Sequence, residues 1–322
     1  MSCKGCPPYD EQDKSGIYFP RCFQWVRGVC TKKNPGNVAS IHGLAQQVMP
    51  KFFDGLELDY VHRLAPHKYV TASWVLSHMK AAGFRFGGLY TFRLTNDVMR
   101  TPTIIGDIHP STQAANLNIL YYPFECLRME ASLQKGSDKT PVDSQLTVEL
   151  TRPCDTWSAN FYSVRKQTGR CTLSLMRAIT THVALGGEML LEWNAPQKLS
   201  TDYALAARYS HHNYALSATA SRNGVDISYW QRIYPQIQMA NVLAYNYSTN
   251  KTIATIGYQW NFWDAAVHGM IDSDASVGVM WTKYFSNFPL EMGLSVVMSI
   301  PTDRFAFGMR FVVDPSGYRS GE

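Results

Sequence analysis

No apolar run in this chain of 322 residues approaches the roughly 20 residues that a membrane-crossing helix needs, and mean hydropathy is only -0.20. A helical membrane protein is therefore excluded. Charge is scarce as well: 17% of residues are Asp, Glu, Lys or Arg, against about 25% in an ordinary soluble domain. With 30 Lys and Arg against 25 Asp and Glu, the formal net charge is +5 and the pI about 8.7. So mild a bias, without a lysine-rich run, gives no ground for a nucleic-acid surface. Local signatures of catalysis are missing too, with no G-x-S-x-G elbow, G-x-x-x-x-G-K-[ST] loop, H-E-x-x-H pair or dinucleotide fingerprint. Neither an enzyme nor a cofactor is expected.

Residues 1 to 10 hold two cysteines and two prolines where a secretory leader would place positive and then apolar residues, so no such leader is expected. The seven cysteines, Cys3, Cys6, Cys22, Cys30, Cys126, Cys154 and Cys171, show no disulfide-framework spacing, which suits a reducing face. Cys3 and Cys6 form a C-x-x-C pair, but Cys22 and Cys30 complete it irregularly and no histidine lies among them. No metal site is expected. His211 and His212 adjoin in an expected turn and read as a solvent-exposed pair, and the triplets at Asn246 and Asn250 read as chance glycosylation sequons.

What the chain does have is alternation. Leu56, Leu58 and Tyr60 interleave with Glu57 and Asp59, and Leu146, Val148 and Leu150 with Thr147 and Glu149. Leu127, Met129, Ala131 and Leu133 oppose Arg128, Glu130, Ser132 and Gln134, while Val225, Ile227 and Tyr229 oppose Asp226 and Ser228. Successive strand side chains point oppositely, so each segment has one apolar and one polar face. Nearly every segment repeats the pattern without a separate core-covering layer, as expected for an all-β transmembrane barrel whose apolar wall meets lipid. The span from Asp54 to Val313 divides into about nineteen strands, each of about 14 residues including its turn, in keeping with the 9 to 11 residues of a tilted spanning strand. Turns are marked at Asn223 with Gly224, Asn194 to Pro196, Asp138 to Pro141 and Asn287 to Pro289. Residues 262 to 271 are apolar on both faces, and their orientation stays open.

Four regions follow. Residues 1–36, with Pro7, Pro8, Pro20 and Pro35 and no periodicity, read as a loosely ordered arm. In residues 37–50, Asn37 caps a short helix on which Val38, Ile41, Leu44 and Val48 form one apolar stripe, Gly43 weakens it, and Pro50 stops it. Something so short needs a surface to pack on, and the inside of a wide barrel provides one. Residues 51–313 form the barrel and 314–322 a tail. Trp157, Trp193, Trp230, Trp260, Trp263 and Trp281 fall near strand ends, as in an interfacial aromatic girdle.

The polar faces carry Glu57, Asp59, Asp107, Glu130, Glu149, Glu188, Glu192, Asp202 and Asp226, with Arg128, Arg208, Arg304 and Arg310 as counterweights. Water fills a wide bore, so polar residues there need no function. Scattered carboxylates in a confined passage would also concentrate cationic cargo, each exposed pair contributing only about 0 to 1 kcal/mol, so that cargo moves on.

Several short stretches resemble a known family: Asn34, Pro35, Gly36 before the helix; Asp54, Gly55, Leu56 into the first strand; Ile105, Gly106, Asp107; Ala184 to Glu188; and Gly257, Tyr258, Gln259. Their order, from about Asn34 to Val313, is similar to the channel-forming subunit of the translocase of the mitochondrial outer membrane, the TOM complex. The resemblance implies a nineteen-stranded barrel with a parallel seam and the short helix in its lumen. It also implies an integral outer-membrane location and passage of unfolded precursor proteins with basic presequences along the carboxylates. The partners it implies are receptor and small helical subunits of that complex, membrane lipid, and other copies of the barrel.

In such a family the last strand carries an insertion signal, matched here by Gly308, Met309, Phe311 and Val313. Ala306 stands where a polar residue is expected, and His109 where the family has a second carboxylate after Asp107. These departures suit a divergent paralogue. Two rival readings are a metabolite porin like the voltage-dependent anion channel, which would want a basic lining, and a soluble antiparallel binding module.

Overall fold

The computed structural model describes residues 34–65, 67–78, 82–92, 102–124, 126–136, 142–164, 168–194, 197–285, 288–301 and 303–315. The arm at 1–33, the turn expected at Asp138 to Pro141 and most of the tail lie outside them. Nineteen strands follow one another: β1 Gly55–Ala65, β2 Lys68–Leu76, β3 Gly83–Thr91, β4 Thr103–His109, β5 Ala114–Phe124, β6 Leu127–Lys135, β7 Val142–Thr151, β8 Asp155–Val164, β9 Thr168–Ala178 and β10 Val183–Asn194. The circuit continues with β11 Gln197–Ser210, β12 Tyr214–Ser221, β13 Gly224–Tyr234, β14 Ile237–Asn246, β15 Lys251–Asn261, β16 Ala265–Asp272, β17 Ser276–Phe285, β18 Leu290–Ser299 and β19 Arg304–Val313.

Each strand pairs antiparallel with the next, and β1 pairs with both β2 and β19, which closes the sheet. The closing pair is parallel, in register from Gly55 opposite Gly308 to Tyr60 opposite Val313. An up-and-down circuit of odd count returns its last strand in the direction of its first, so the seam has to be parallel. Closure leaves no unpaired edge, the condition for a sheet to stand in lipid. This is the expected fold.

Strand register sorts the side chains into two walls. Leu58, Phe84, Phe86, Leu205 and Phe305 share the outer wall, and Leu205 is 72% and Phe305 69% exposed, with no layer over them. A soluble module would bury such residues; lipid solvates them. Trp157, Trp193, Trp260 and Trp263 are likewise exposed. Trp230 is a correction: it is only 6% exposed and packs inside with Ala45 and Val48, because it shares strand parity with Asp226 and Ser228.

Cysteine is a second correction. Cys126, in the β5–β6 turn, and Cys154, in the β7–β8 turn, are each engaged in a disulfide, whereas Cys171 is free and buried. Linear spacing carries no information on which cysteines a fold brings together.

Ahead of β1, Val38–Ser40 form a 3-10 turn and Gly43–Val48 a single short helix, α1. The expected continuous helix is broken at Ile41 and His42. Residues Asn34 to Phe53 form a strap that touches the wall from Thr156 on β8 to Ser295 on β18 and Gly308 on β19. At about 3.4 Å per extended residue and 1.5 to 2 Å per helical one, the strap spans about 50 Å at most. The wall between β8 and β19 measures about 70 Å at normal strand spacing and tilt. So short a strap reaches both ends of that arc only across the concave side, and it therefore lies in the bore.

Candidate functional site

The site is the inner wall together with the strap that covers part of it. The strap is held first at Asn34, whose amide donates to the Arg152 carbonyl and whose Oδ1 accepts from Thr156 Oγ1 at 3.0 Å. Asn37 Oδ1 accepts from the backbone of Ala39 as helix cap and also from Ser158 and Ser174. Ser217 Oγ donates to the Ile41 carbonyl, and His42 bridges Ser228 Oγ at 2.7 Å and Thr219 Oγ1 at 3.1 Å. Burial pushes the His42 imidazole below its ordinary value, and the Asp226 carboxylate partly opposes the shift. The Val48 carbonyl contacts His268 Nδ1. Wall hydroxyls thus take up the polar groups that the broken helix leaves open.

Apolar groups seat the strap between these bonds. Val38 and Ile41 pack on Met176, Ala184 and Ala206, while Ala45 and Val48, with Leu44 beside them, pack on Ala215, Trp230 and Ala240. Beyond α1 the wall is notched by glycine: Met49 fills the space over Gly257, Phe52 over Gly278, and the Phe53 ring over Gly293. A methyl group on Gly308 would land on the Phe53 carbonyl. Opposite it, Gly55 turns the chain into β1 at φ +72°, where a side chain would meet the Leu76 carbonyl. Asp54 steadies this corner by accepting from Ser77 Oγ and the His78 backbone.

The nine carboxylates singled out from sequence are spread around the wall. Glu57 and Asp59 on β1 both meet Arg310 across the seam, Asp59 at 2.7 Å and Glu57 at 3.8 Å. Asp107 faces Arg85 at 3.4 Å and accepts from Asn116. Arg128 bonds Glu130 at 2.6 Å and reaches Glu149 at 3.8 Å, and Asn118 donates to Glu130. Glu192 lies 4.0 Å from Arg170, Glu188 stands across from Ser174, Asp202 across from Leu190, and Asp226 beside Thr219 near His42. Asp143, which accepts from Tyr162, belongs to the same wall and was not foreseen. The strap's hydroxyl partners were also missed; only the period-two Ser217, Thr219 and Ser228 hinted at them.

Of the last-strand residues, Gly308 faces the strap, while Met309, Phe311 and Val313 lie on the outer wall opposite Leu56, Leu58 and Tyr60.

The sequence profile of eukaryotic porins matches residues 34–308, the strap and the circuit up to the glycine of the last strand. The chain belongs to the eukaryotic porin family. Among curated relatives of this porin, "Mitochondrial import receptor subunit TOM40 homolog 2" of Drosophila melanogaster is 22% identical, the alignment covering 87% of this chain and 84% of that one. A protein of Caenorhabditis briggsae named "Mitochondrial import receptor subunit TOM40 homolog" is 24% identical, covering 87% and 94%. Its namesake in Mus musculus is 22% identical, covering 87% and 78%. Among solved structures, a mutant of Rh. blastica porin overlays 69% of this chain at TM-score 0.46 with 12% identity.

Proposed function

We propose that this eukaryotic porin is a protein-conducting channel of the mitochondrial outer membrane, passing unfolded precursors with basic presequences as the pore of a TOM-type translocase. The observation that carries this reading is the chemistry of the bore: carboxylates such as Asp107 and Glu130 stand in half-exposed pairs with arginine. Such pairs contribute only about 0 to 1 kcal/mol, so a passing lysine or arginine can replace the resident partner at little cost and be released again. The names of the relatives, which align over most of the chain, support it. Receptor and small helical subunits, and further copies of the barrel, would then meet the outer wall. In this reading Gly308, Met309, Phe311 and Val313 also serve as the insertion signal.

Purified protein in planar bilayers should form a cation-preferring pore that basic amphipathic peptides block. Anion preference with no effect of such peptides would replace this reading with a metabolite porin.

A further inference from the structure

The strap divides the inner wall into two arcs. From β8 around to β19 the wall is built to receive it: hydroxyls on β8, β9, β12 and β13 bind its polar groups. Glycines on β15, β17, β18 and β19 are notched under Met49, Phe52 and Phe53. From β2 to β7, no described strap residue makes a side-chain hydrogen bond to the wall. Notches under Met49, Phe52 and Phe53 mark a permanent seat, because each vacated notch would leave an apolar hollow open to water. We infer that the strap stays seated during transport and that the polypeptide runs along the arc of β2 to β7, bare of the strap among the described residues.

This rests on the proposed function and narrows it. The bare arc carries Asp107, Glu130, Asp143 and Glu149 against Arg85 and Arg128, an excess of carboxylate. Their side chains are open enough to exchange partners, with Glu130 28% and Asp107 29% exposed. Two of the other carboxylates are committed to structure: Glu57, 10% exposed, is tied to Arg310 at the seam, and Asp226 faces the strap at His42. Cargo basicity is therefore read by the Arg128–Glu130–Glu149 group and by Asp107.

Two measurements on the full chain in bilayers test this, each with a basic amphipathic peptide as probe. Cysteines placed together by Met49→Cys and Gly257→Cys, oxidised to lock the strap, should leave conductance and peptide block unchanged, with reductant on the wild type as control. Glu130→Gln with Glu149→Gln should weaken the block by about tenfold, whereas Asp226→Asn should leave it within about twofold. Block that is intact in the wild type but lost on locking, or weakened more by Asp226→Asn than by the double variant, overturns the inference alone. A wild-type pore that the peptide never blocks removes the function and this inference together.

Discussion

The two arcs of the bore use one strand pattern for opposite ends. On the bare arc the inward positions hold charges and amides that bond one another, as Asn116 does with Asp107 and Asn118 with Glu130. Under the strap many inward positions are glycine, alanine or serine, among them Gly257, Ala215 and Ser217, and the strap restores the missing bulk. The difference teaches that a cluster of small inward residues marks where the strap packs, while side chains that bond one another mark the face the strap leaves uncovered.

The sharpest challenge to this comparison sets a methyl group under the strap against one on the outer face of the β2 to β7 arc. Gly308→Ala forces the Phe53 carbonyl off the wall and should cost about 3 kcal/mol, the upper end for overpacking. Gly106→Ala, on the outer face of β4 across from Gly88 and Leu117, adds a carbon that meets nothing nearer than 3.7 Å and should stay within about 0.5 kcal/mol. Heat-induced gel mobility shifts of the folded barrel would compare them, and equal losses would break the contrast.

Next in size come the ion pairs. Arg310→Ala removes the cation that Glu57 and Asp59 share, 10% and 20% exposed, and should cost about 2 kcal/mol. Arg128→Ala on the bare arc leaves more open partners, 28% and 18% exposed, and should cost about 1 kcal/mol or less. Denaturant midpoints in detergent read the pair, and a larger loss for Arg128→Ala would reverse the assignment of structural and exchangeable charge.

The smallest effect is pH-dependent. His42 is held below its ordinary value of 6.5 in the seated strap, so the released strap binds more protons there. The seat is at full strength above pH 6.5 and weakens as pH falls below it. Hydrogen exchange in residues 37–49 should quicken between pH 7 and pH 5 after correction for intrinsic rates, while strands of the bare arc should not change.

Much of the architecture was legible because period-two alternation is local: Leu146, Val148 and Leu150 declare an outer wall with no knowledge of their neighbours. Trp230 shows where residue type misleads, since its parity with Asp226 and Ser228 already assigns it to the inside. Residues 262 to 271 read ambiguously for a physical reason: the strap dries the inner wall there, so Met270 faces inward while Val267 and Ile271 face out. The contact of His268 with the Val48 carbonyl, 220 positions away in sequence, left no local sign, nor did that of Arg310 with Asp59, 251 positions away.

The chain's own pattern determined a closed barrel with a greasy exterior and a polar bore, because side-chain alternation and the demand that lipid leave no unpaired edge act strand by strand. Tertiary structure alone decided that residues 34 to 53 lie across one side of the bore. Their bonds and notches join positions more than a hundred residues apart, and only closure of the wall brings those positions together.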